Sequence, residues 1–341
     1  MHLEYPSQHT DTRARLSVVV PNYNGASTIA ACLESLYAAD PEVEVVVVDD
    51  CSDDGSVDII RERPCTLVQL GRRSGAAAAR NIGAAHCSGA VLFFTDADCQ
   101  VLADTLERAR TAVLAAGEDV LIGGTYTEAP ADGRFFSWFQ SVFVNYSETK
   151  SVREPDYIAT HAMALSSATF RRHGGFRDDF LPILEDVEFS HRLRRRGCRL
   201  QMSPALYVRH TFDFSLWRSI RNAYRKSLYW TAYSLRHKDL LADSGTASVE
   251  LKVNAMVWLL LVAVVCAPLG SAASALAGGA LVVTNIVVSR RLLGRYLAAR
   301  GWTFGVAAAL YYLFVYPAAV TSGIAGGLIL AWRLRARLEG V

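Results

Sequence analysis

The sequence predicts an α/β domain built on a mostly parallel sheet, followed by an apolar helical tail that meets a membrane. Three observations carry this. Within residues 16–210, short β-branched runs alternate with helical patterns, which is the signature of a sheet covered by helices. Two stretches of the tail, residues 253–289 and 301–332, contain no charged side chain over 37 and 32 residues. The charges divide as well: from residue 253 on, the sole acid is Glu339 against seven arginines, whereas the preceding 252 residues carry 28 bases and 32 acids. An apolar content of 51% excludes a disordered chain, and the acidic bulk argues against a nucleic-acid partner.

The strand-like runs are 16–20, 43–48, 66–70, 91–95 and 120–123, separated by helical patterns at 27–38, 57–61, 75–85 and 104–116. Ligands of such sheets sit beyond the carboxyl ends of the strands, so the residues that follow each strand are the candidates. The first strand leads into Pro21-Asn22-Tyr23-Asn24-Gly25, a turn suited to holding a base. The second leads into Asp49-Asp50-Cys51-Ser52-Asp53-Asp54-Gly55-Ser56, where Asp50 can accept from a pyrimidine imide N–H or a ribose hydroxyl. Asp54 and Ser56 read equally well as a helix cap with solvated acids. After the third strand, Gly71-Arg72-Arg73-Ser74-Gly75 opens an Ala-rich helix containing Arg80. Glycines, a helix N-terminus and arginines suit a diphosphate, although neither a GK[ST] nor a GxGxxG motif occurs. Arg72 and Arg73 read equally as a solvated pair; Arg80, amid alanines, does not. The fourth strand ends in Asp96-Ala97-Asp98, whose two carboxylates share one side of an extended chain and suit a hard divalent ion.

Taken in order, Val-Val-Val-Pro-Asn-Tyr-Asn, Val-Val-Asp-Asp-Cys-Ser-Asp-Asp-Gly-Ser, Gly-Ala-Ala-Ala-Ala-Arg-Asn-Ile-Gly and Phe-Thr-Asp-Ala-Asp resemble the inverting family 2 glycosyltransferases over most of residues 16–210. The resemblance implies a GT-A fold, the Rossmann-like fold of nucleotide-diphospho-sugar transferases. It also implies a UDP- or GDP-sugar donor held through Mg²⁺ or Mn²⁺. By motif match Pro21, Tyr23, Asn24 and Asp50 lie on the nucleoside side, Arg80 near the diphosphate, Asp96 close to the ribose and Asp98 on the metal. The family's second acidic motif has its match in Gly174-Gly175-Phe176, then Leu184-Glu185-Asp186-Val187-Glu188-Phe189. Asp186 is thereby assigned as general base, with Glu185 beside it on the acceptor side; first-turn acids on a helix dipole are the bland alternative. His210, after the last strand-like run, is expected as a further metal or diphosphate ligand, as in some relatives. His161 and Met163 are expected on a strand beneath the acceptor site, with packing as the default reading. The six aromatics of residues 133–146 read either as a helix touching lipid or acceptor, or as core.

Residues 209–240 hold seven bases, two acids and seven aromatics, so 211–252 are expected to form basic, aromatic helices lying on an anionic membrane surface. A QxxRW sequence is absent there, which argues against processive synthesis. At 1.5 Å per residue the charge-free stretches would be about 55 and 48 Å long, against a hydrocarbon core of about 30 Å. Pro268 and Gly270 offer a turn for a hairpin over 253–289. The second stretch is a third span or, as retention of Arg333, Arg335 and Arg337 on the cytoplasmic side favours, a re-entrant hairpin broken at Pro317 or at Gly323, Gly326 and Gly327. Residues 1–15 lack the apolar run of a secretory signal and are expected to be flexible, and the seven cysteines lack a CxxC pair or zinc spacing and read as reduced. The expected protein is therefore an inner-membrane enzyme with a cytoplasmic catalytic domain. It would glycosylate a hydroxyl of a lipid or lipid-linked acceptor for envelope assembly, and a homo-oligomer is compatible with the sequence. A polyprenyl phosphate is already an anion and needs no base, so transfer to it is the alternative, beside a non-catalytic sugar-nucleotide-binding scaffold.

Overall fold

The computed structural model describes residues 15–152, 154–178, 181–240, 242–267 and 271–339. The chain runs β1 (Leu16–Asn22), α1 (Ile29–Ala39), β2 (Glu44–Asp49), α2 (Ser56–Arg61), β3 (Thr66–Gln69), α3 (Ala76–His86), β4 (Val91–Phe94), β5 (Cys99–Val101), α4 (Thr105–Ala116), β6 (Val120–Tyr126) and α5 (Phe135–Thr149). It continues through β7 (Met163–Ser166), α6 (Ser167–Arg172), α7 (Glu185–Arg195), β8 (Arg199–His210), α8 (Leu216–His237), α9 (Val249–Cys266), α10 (Ser271–Leu310) and α11 (Tyr316–Glu339).

The eight strands form one sheet in the order β3-β2-β1-β4-β7-β6-β8-β5. β1 to β4 are mutually parallel, because helices return the chain across the sheet between them. Val18 to Val20 and Val45 to Val48 are buried in unbroken runs, as befits strands covered on both faces. β7 enters antiparallel between β4 and β6, and β8 pairs with both β6 and β5. Asn22 registers with Asp49, and Cys99 with His210, so the loops carrying the acidic motifs meet along one sheet edge.

The aromatic segment 133–146 is core. Within α5, Phe139 and Phe143 are buried against the tail, with Phe139 stacked on Tyr296 at 5.2 Å between ring centroids and Phe143 at 5.8 Å from Tyr316. Catalytic domain and tail thus share one apolar core. The basic, aromatic segment is a single 22-residue helix, α8, rather than several helices lying free on a surface. Trp230 packs on Tyr157, the Tyr233 hydroxyl meets His191 Nδ1 at 2.8 Å, and the opposite flank of α8 lies on α11. Trp217 remains exposed at the start of α8.

In the tail, α9 and α10 follow the expected hairpin, although Pro268 and Gly270 lie outside the described residues. α10 runs on past residue 289 and kinks at Arg300 and Gly301, the latter at φ +80°. The expected re-entrant break is absent, and the second stretch is one continuous helical path. A π-turn at Tyr311–Val315 precedes Pro317, so the carbonyl bonding pattern is already shifted where the proline lacks its N–H. Nor do the glycines break the helix. A Cβ on Gly323 would lie 2.5 Å from the Tyr224 carbonyl oxygen, and one on Gly327 would lie 2.5 Å from that of Leu228, so these positions let α11 and α8 touch backbone to backbone. Two tail segments, Val249–Cys266 and Ala272–Arg335, are long and apolar enough to cross a membrane. Their outward faces expose Leu260, Val265, Leu276, Val283 and Ile329.

Candidate active site

A cleft of about 610 Å³ opens where β1, β2 and β4 end, lined among others by Pro21, Tyr23, Asn24, Asp50, Arg80, Asp96 and Asp98. All six donor-side residues expected from the sequence, together with Asp98, therefore converge. The β1 and β2 loops are sewn together by side chains: Asn22 Nδ2 donates to Asp49 Oδ1 at 2.8 Å and to Ser56 Oγ at 2.9 Å, and Asp53 N donates to Asn24 Oδ1 at 3.0 Å. Asp54 accepts from Ala26 N and Ser56 N at 2.8 and 3.0 Å and so joins the two loops, while the cap position of α2 is Gly55, so neither Asp54 nor Ser56 caps the helix through its side chain.

Asp50 lies on the cleft floor, but its carboxylate already accepts from Ser74 N at 2.6 Å, Gly75 N at 2.8 Å and Arg73 Nε at 3.1 Å. It thereby fixes the loop before α3. A carboxylate has about four acceptor positions, so one remains for a ligand. Arg73, one of the two arginines that also read as a solvated pair, lies with its guanidinium carbon 3.1 Å from the Tyr23 ring centroid. It caps the residue expected beside the base. The rim also contains Asp132 and an ion network that sequence reasoning passed over: Asp213 pairs with Arg134 at 2.7 Å and with Arg218 at 2.6 Å. Only a count of charges in the basic segment touched these residues, since no motif spacing links positions 132, 213 and 218.

Arg80 is the buried hinge of the site. Its Nη2 lies 2.6 Å from Asp96 Oδ1 and its Nη1 2.6 Å from Glu185 Oε1, and only 4% of the side chain is exposed. Both terminal nitrogens are thus engaged by carboxylates, so the structure gives Arg80 a clamping role between the two acidic motifs. Burial alone would lower the Arg80 pKa, yet the two carboxylates raise it above its ordinary value. Burial works against ionisation of Asp96 too, but Arg80 holds its carboxyl below the usual range.

Asp98 and His210 meet on the cleft wall, Oδ1 to Nε2 at 3.2 Å. His210 is stacked on Phe212 at 3.9 Å and edged by Tyr126 at 4.9 Å, and its buried Nδ1 has no protein partner among the described residues. Burial lowers the His210 pKa against the pull of Asp98 and Asp96, so the ring is neutral. Burial, with Asp96 adding to it, raises the Asp98 carboxyl. A neutral imidazole and a carboxyl that gains from a nearby cation form a donor set that fits a divalent ion, with diphosphate oxygens able to complete it.

Glu185 and Asp186 open α7 after Leu184 in the left-handed region, at φ +77°. Asp186 Oδ1 accepts from the backbone of Val187 at 2.8 Å. Burial, then the charge of Glu185, pushes its carboxyl up to about 6, with Arg80 opposing. Those are the properties of a base poised close to neutral pH. His161 lies in a 3₁₀ turn, Thr160–Ala162, rather than on the expected strand, while Met163 opens β7 after it. Its ring is buried, stacked on Tyr126 at 4.0 Å with Nε2 3.3 Å from Glu148, so it packs behind the cleft. The chain turns here before entering β7 between β4 and β6.

The class defined by this sheet and cleft is that of the GT-A nucleotide-sugar transferases. Residues 17–173, a little under half of the chain, match the family described as Glycosyl transferase family 2, and apolar helices follow toward the C-terminal end. It is 31% identical over 159 residues to glycosyltransferase AglE of Haloferax volcanii, a match covering 44% of this chain and 52% of that protein. Succinoglycan biosynthesis protein ExoO of Rhizobium meliloti is 32% identical over 165 residues, covering 47% and 45%. The chain thus spans about half the length of these relatives. Among solved structures, the mannosyltransferase PcManGT from Pyrobaculum calidifontis, in complex with GDP-Man and Mn²⁺, has the same fold at a TM-score of 0.55 and 19% identity, covering 94% of this chain and 88% of that one.

Proposed function

We propose that this chain is an inverting, metal-dependent glycosyltransferase that moves a sugar from a UDP- or GDP-sugar to a hydroxyl of a lipid or lipid-linked acceptor. The observation that carries the reading is the Arg80 clamp, which ties Asp96, on the cleft, to Glu185, the neighbour of Asp186. Pro21, Tyr23, Asn24 and Asp50 hold the nucleoside, with Arg73 closing over Tyr23. Asp98 and His210 hold Mg²⁺ or Mn²⁺, which when bound neutralises charge on the leaving diphosphate. Asp186 removes the acceptor hydroxyl proton as that oxygen bonds the anomeric carbon and the bond to the nucleoside diphosphate breaks on the opposite face. A poised carboxylate favours a hydroxyl over a phosphate acceptor, because a phosphate is already ionised. The exposed apolar faces of α9 and α10 support docking at a membrane, with the catalytic domain on the cytoplasmic side. The name of the relative ExoO, and that of the poly(ribitol-phosphate) β-N-acetylglucosaminyltransferase TarS of Staphylococcus aureus, support a place in envelope glycan assembly.

The test is a screen of UDP- and GDP-sugars for nucleotide release, with Mg²⁺ or Mn²⁺, in wild type, Asp98→Ala and Asp186→Asn. Metal-dependent release by wild type, lost in Asp98→Ala, is expected. Asp186→Asn should keep donor binding and lose transfer to acceptor. Absence of release from every donor overturns the enzymatic reading in favour of a binding scaffold. Full Asp186→Asn activity on a bare polyprenyl phosphate overturns the hydroxyl acceptor.

A further inference from the structure

Behind the sheet, away from the cleft, three side chains from distant parts of the sequence face one point. Asp119 precedes β6, His173 follows α6, and Cys198 lies in the turn between α7 and β8. His173 Nε2 lies 3.3 Å from Cys198 Sγ and 3.6 Å from Asp119 Oδ1, and the sulfur lies 3.9 Å from that same oxygen. A triangle with these sides has a point ~2.1 Å from all three atoms, and a small step out of its plane meets the roughly 2.0–2.3 Å bonds that Zn²⁺ makes to O, N and S. We propose that Asp119, His173 and Cys198 form a structural site for a borderline-soft divalent ion of the Zn²⁺ type, separate from the hard-ion site of the cleft.

The chemistry and framework fit. As a hydrogen-bonded cluster the three are poorly matched, since the imidazole–carboxylate separation of 3.6 Å is too long for a bond. As ligands they supply a thiolate, an imidazole and a carboxylate, a set that selects Zn²⁺ over Mg²⁺ or Mn²⁺. His173 and Cys198 are buried, while Asp119 is half-exposed and leaves a route for the ion and a fourth ligand. The backbone around His173 is already fixed, because Arg192 donates to its carbonyl and, at 2.5 Å, to that of Gly175. Two cations stand nearby. Arg172 pairs with Glu118 and, at 2.8 Å, with the same Asp119 Oδ1 that faces the sulfur, a contact that the ion has to share or displace, and the exposed Arg196 makes a 3.4 Å contact to His173 Nδ1, which it gives up when that nitrogen carries the ring proton.

A metal here would pin the starts of β6 and β8 to the end of α6. The next turn, at Gly174 to Phe176, is held by Asn81, whose amide exchanges two 2.8 Å bonds with Phe176 and sits one residue after Arg80. The ion would therefore anchor one end of the connection to Glu185 and Asp186 without touching the reaction.

The test uses the full chain in detergent, stripped with chelator and titrated with Zn²⁺ and Co²⁺. One tightly bound Zn²⁺ per chain is expected, together with a thiolate-to-cobalt charge-transfer band that survives Cys99→Ser, which removes the thiol grouped with Asp98 and His210. Cys198→Ser should remove the band, and His173→Gln should weaken Zn²⁺ binding by roughly 100-fold or more, ligand loss exceeding the 10–100-fold cost of losing an outer partner. Zn²⁺ should also raise the melting temperature of wild type and not of Cys198→Ser. A wild type without the band, or a band unchanged in Cys198→Ser, overturns the site whichever way the donor screen falls. If both variants fail to fold, the wild-type and Cys99→Ser spectra decide alone.

Discussion

Replacing Arg80 with methionine keeps the length of the side chain and removes its charge from between two carboxylates. In wild type, the guanidinium is 4% exposed and lies 2.6 Å from both Asp96 and Glu185. Breaking a buried pair by removing one partner costs about 3–5 kcal/mol. Asp96 retains 30% and Glu185 13% of side-chain exposure, so water takes up part of the loss and about 2–4 kcal/mol is expected. The pH dependence has a definite sign. The Asp96 carboxyl is held below its unfolded value, so its contribution to stability is present at neutral pH and is lost as pH falls through the folded value. The deficit of Arg80→Met is therefore largest at pH 7.5 and shrinks as pH falls through the lowered Asp96 value, where that carboxyl takes up its proton. Urea unfolding of the purified chain, followed by circular dichroism across that range, measures it. A deficit under about 0.5 kcal/mol at pH 7.5, the size of an ordinary surface change, would refute the clamp. So would a deficit that does not vary with pH.

Three further outcomes follow from the same geometry. With the Asp186 carboxyl pushed up to about 6, kcat/KM should fall about tenfold between pH 7 and pH 5 as the base is protonated, and a profile flat across that range removes Asp186 from the role. Arg73→Ala uncovers Tyr23 and frees one acceptor position of Asp50, so the donor KM should rise by about 3- to 30-fold, the 0.5–2 kcal/mol of a cation–π contact, with kcat little changed. If the loss appears in kcat alone, Arg73 is not a binding residue. In the tail, Gly327→Ala drives a methyl to 2.5 Å from a backbone oxygen, whereas Gly326→Ala meets the flexible ends of Tyr224 and Leu228 at 3.0 and 3.1 Å. The first should lower the melting temperature clearly more than the second, and equal effects would mean that α8 and α11 separate easily.

What could be read from the residues followed the sheet. The strands at 16–20 and 43–48 were legible because continuous β-branched runs have few other uses, and their loops were legible because position after a strand already implies function. Pairwise side-chain geometry was not. Arg80 stood out as a charge among alanines, but its partners at positions 96 and 185 depend on how β4 and α7 converge, and no spacing encodes that. For His161 packing was the default reading and is what the structure shows, but the 3₁₀ turn that holds it comes from the entry of β7 between β4 and β6, which no local pattern encodes. Pro317 and the three glycines read as breakers by local propensity. Tertiary contact overrode propensity in both cases, through a π-turn before the proline and through the close crossing of α8 and α11.

The charge division of the sequence also takes a different form in three dimensions. Arginines flanking apolar stretches are usually assigned to lipid headgroups, yet Arg295 reaches Glu128 at 2.6 Å and Asn145 at 3.2 Å, and Arg300 lies 5.1 Å from the Trp138 ring. Glu128 belongs to the segment joining β6 to α5 and Trp138 to α5 itself, which also packs its phenylalanines on Tyr296 and Tyr316. Part of the tail's positive charge therefore fastens the helices to the acidic domain rather than to a bilayer.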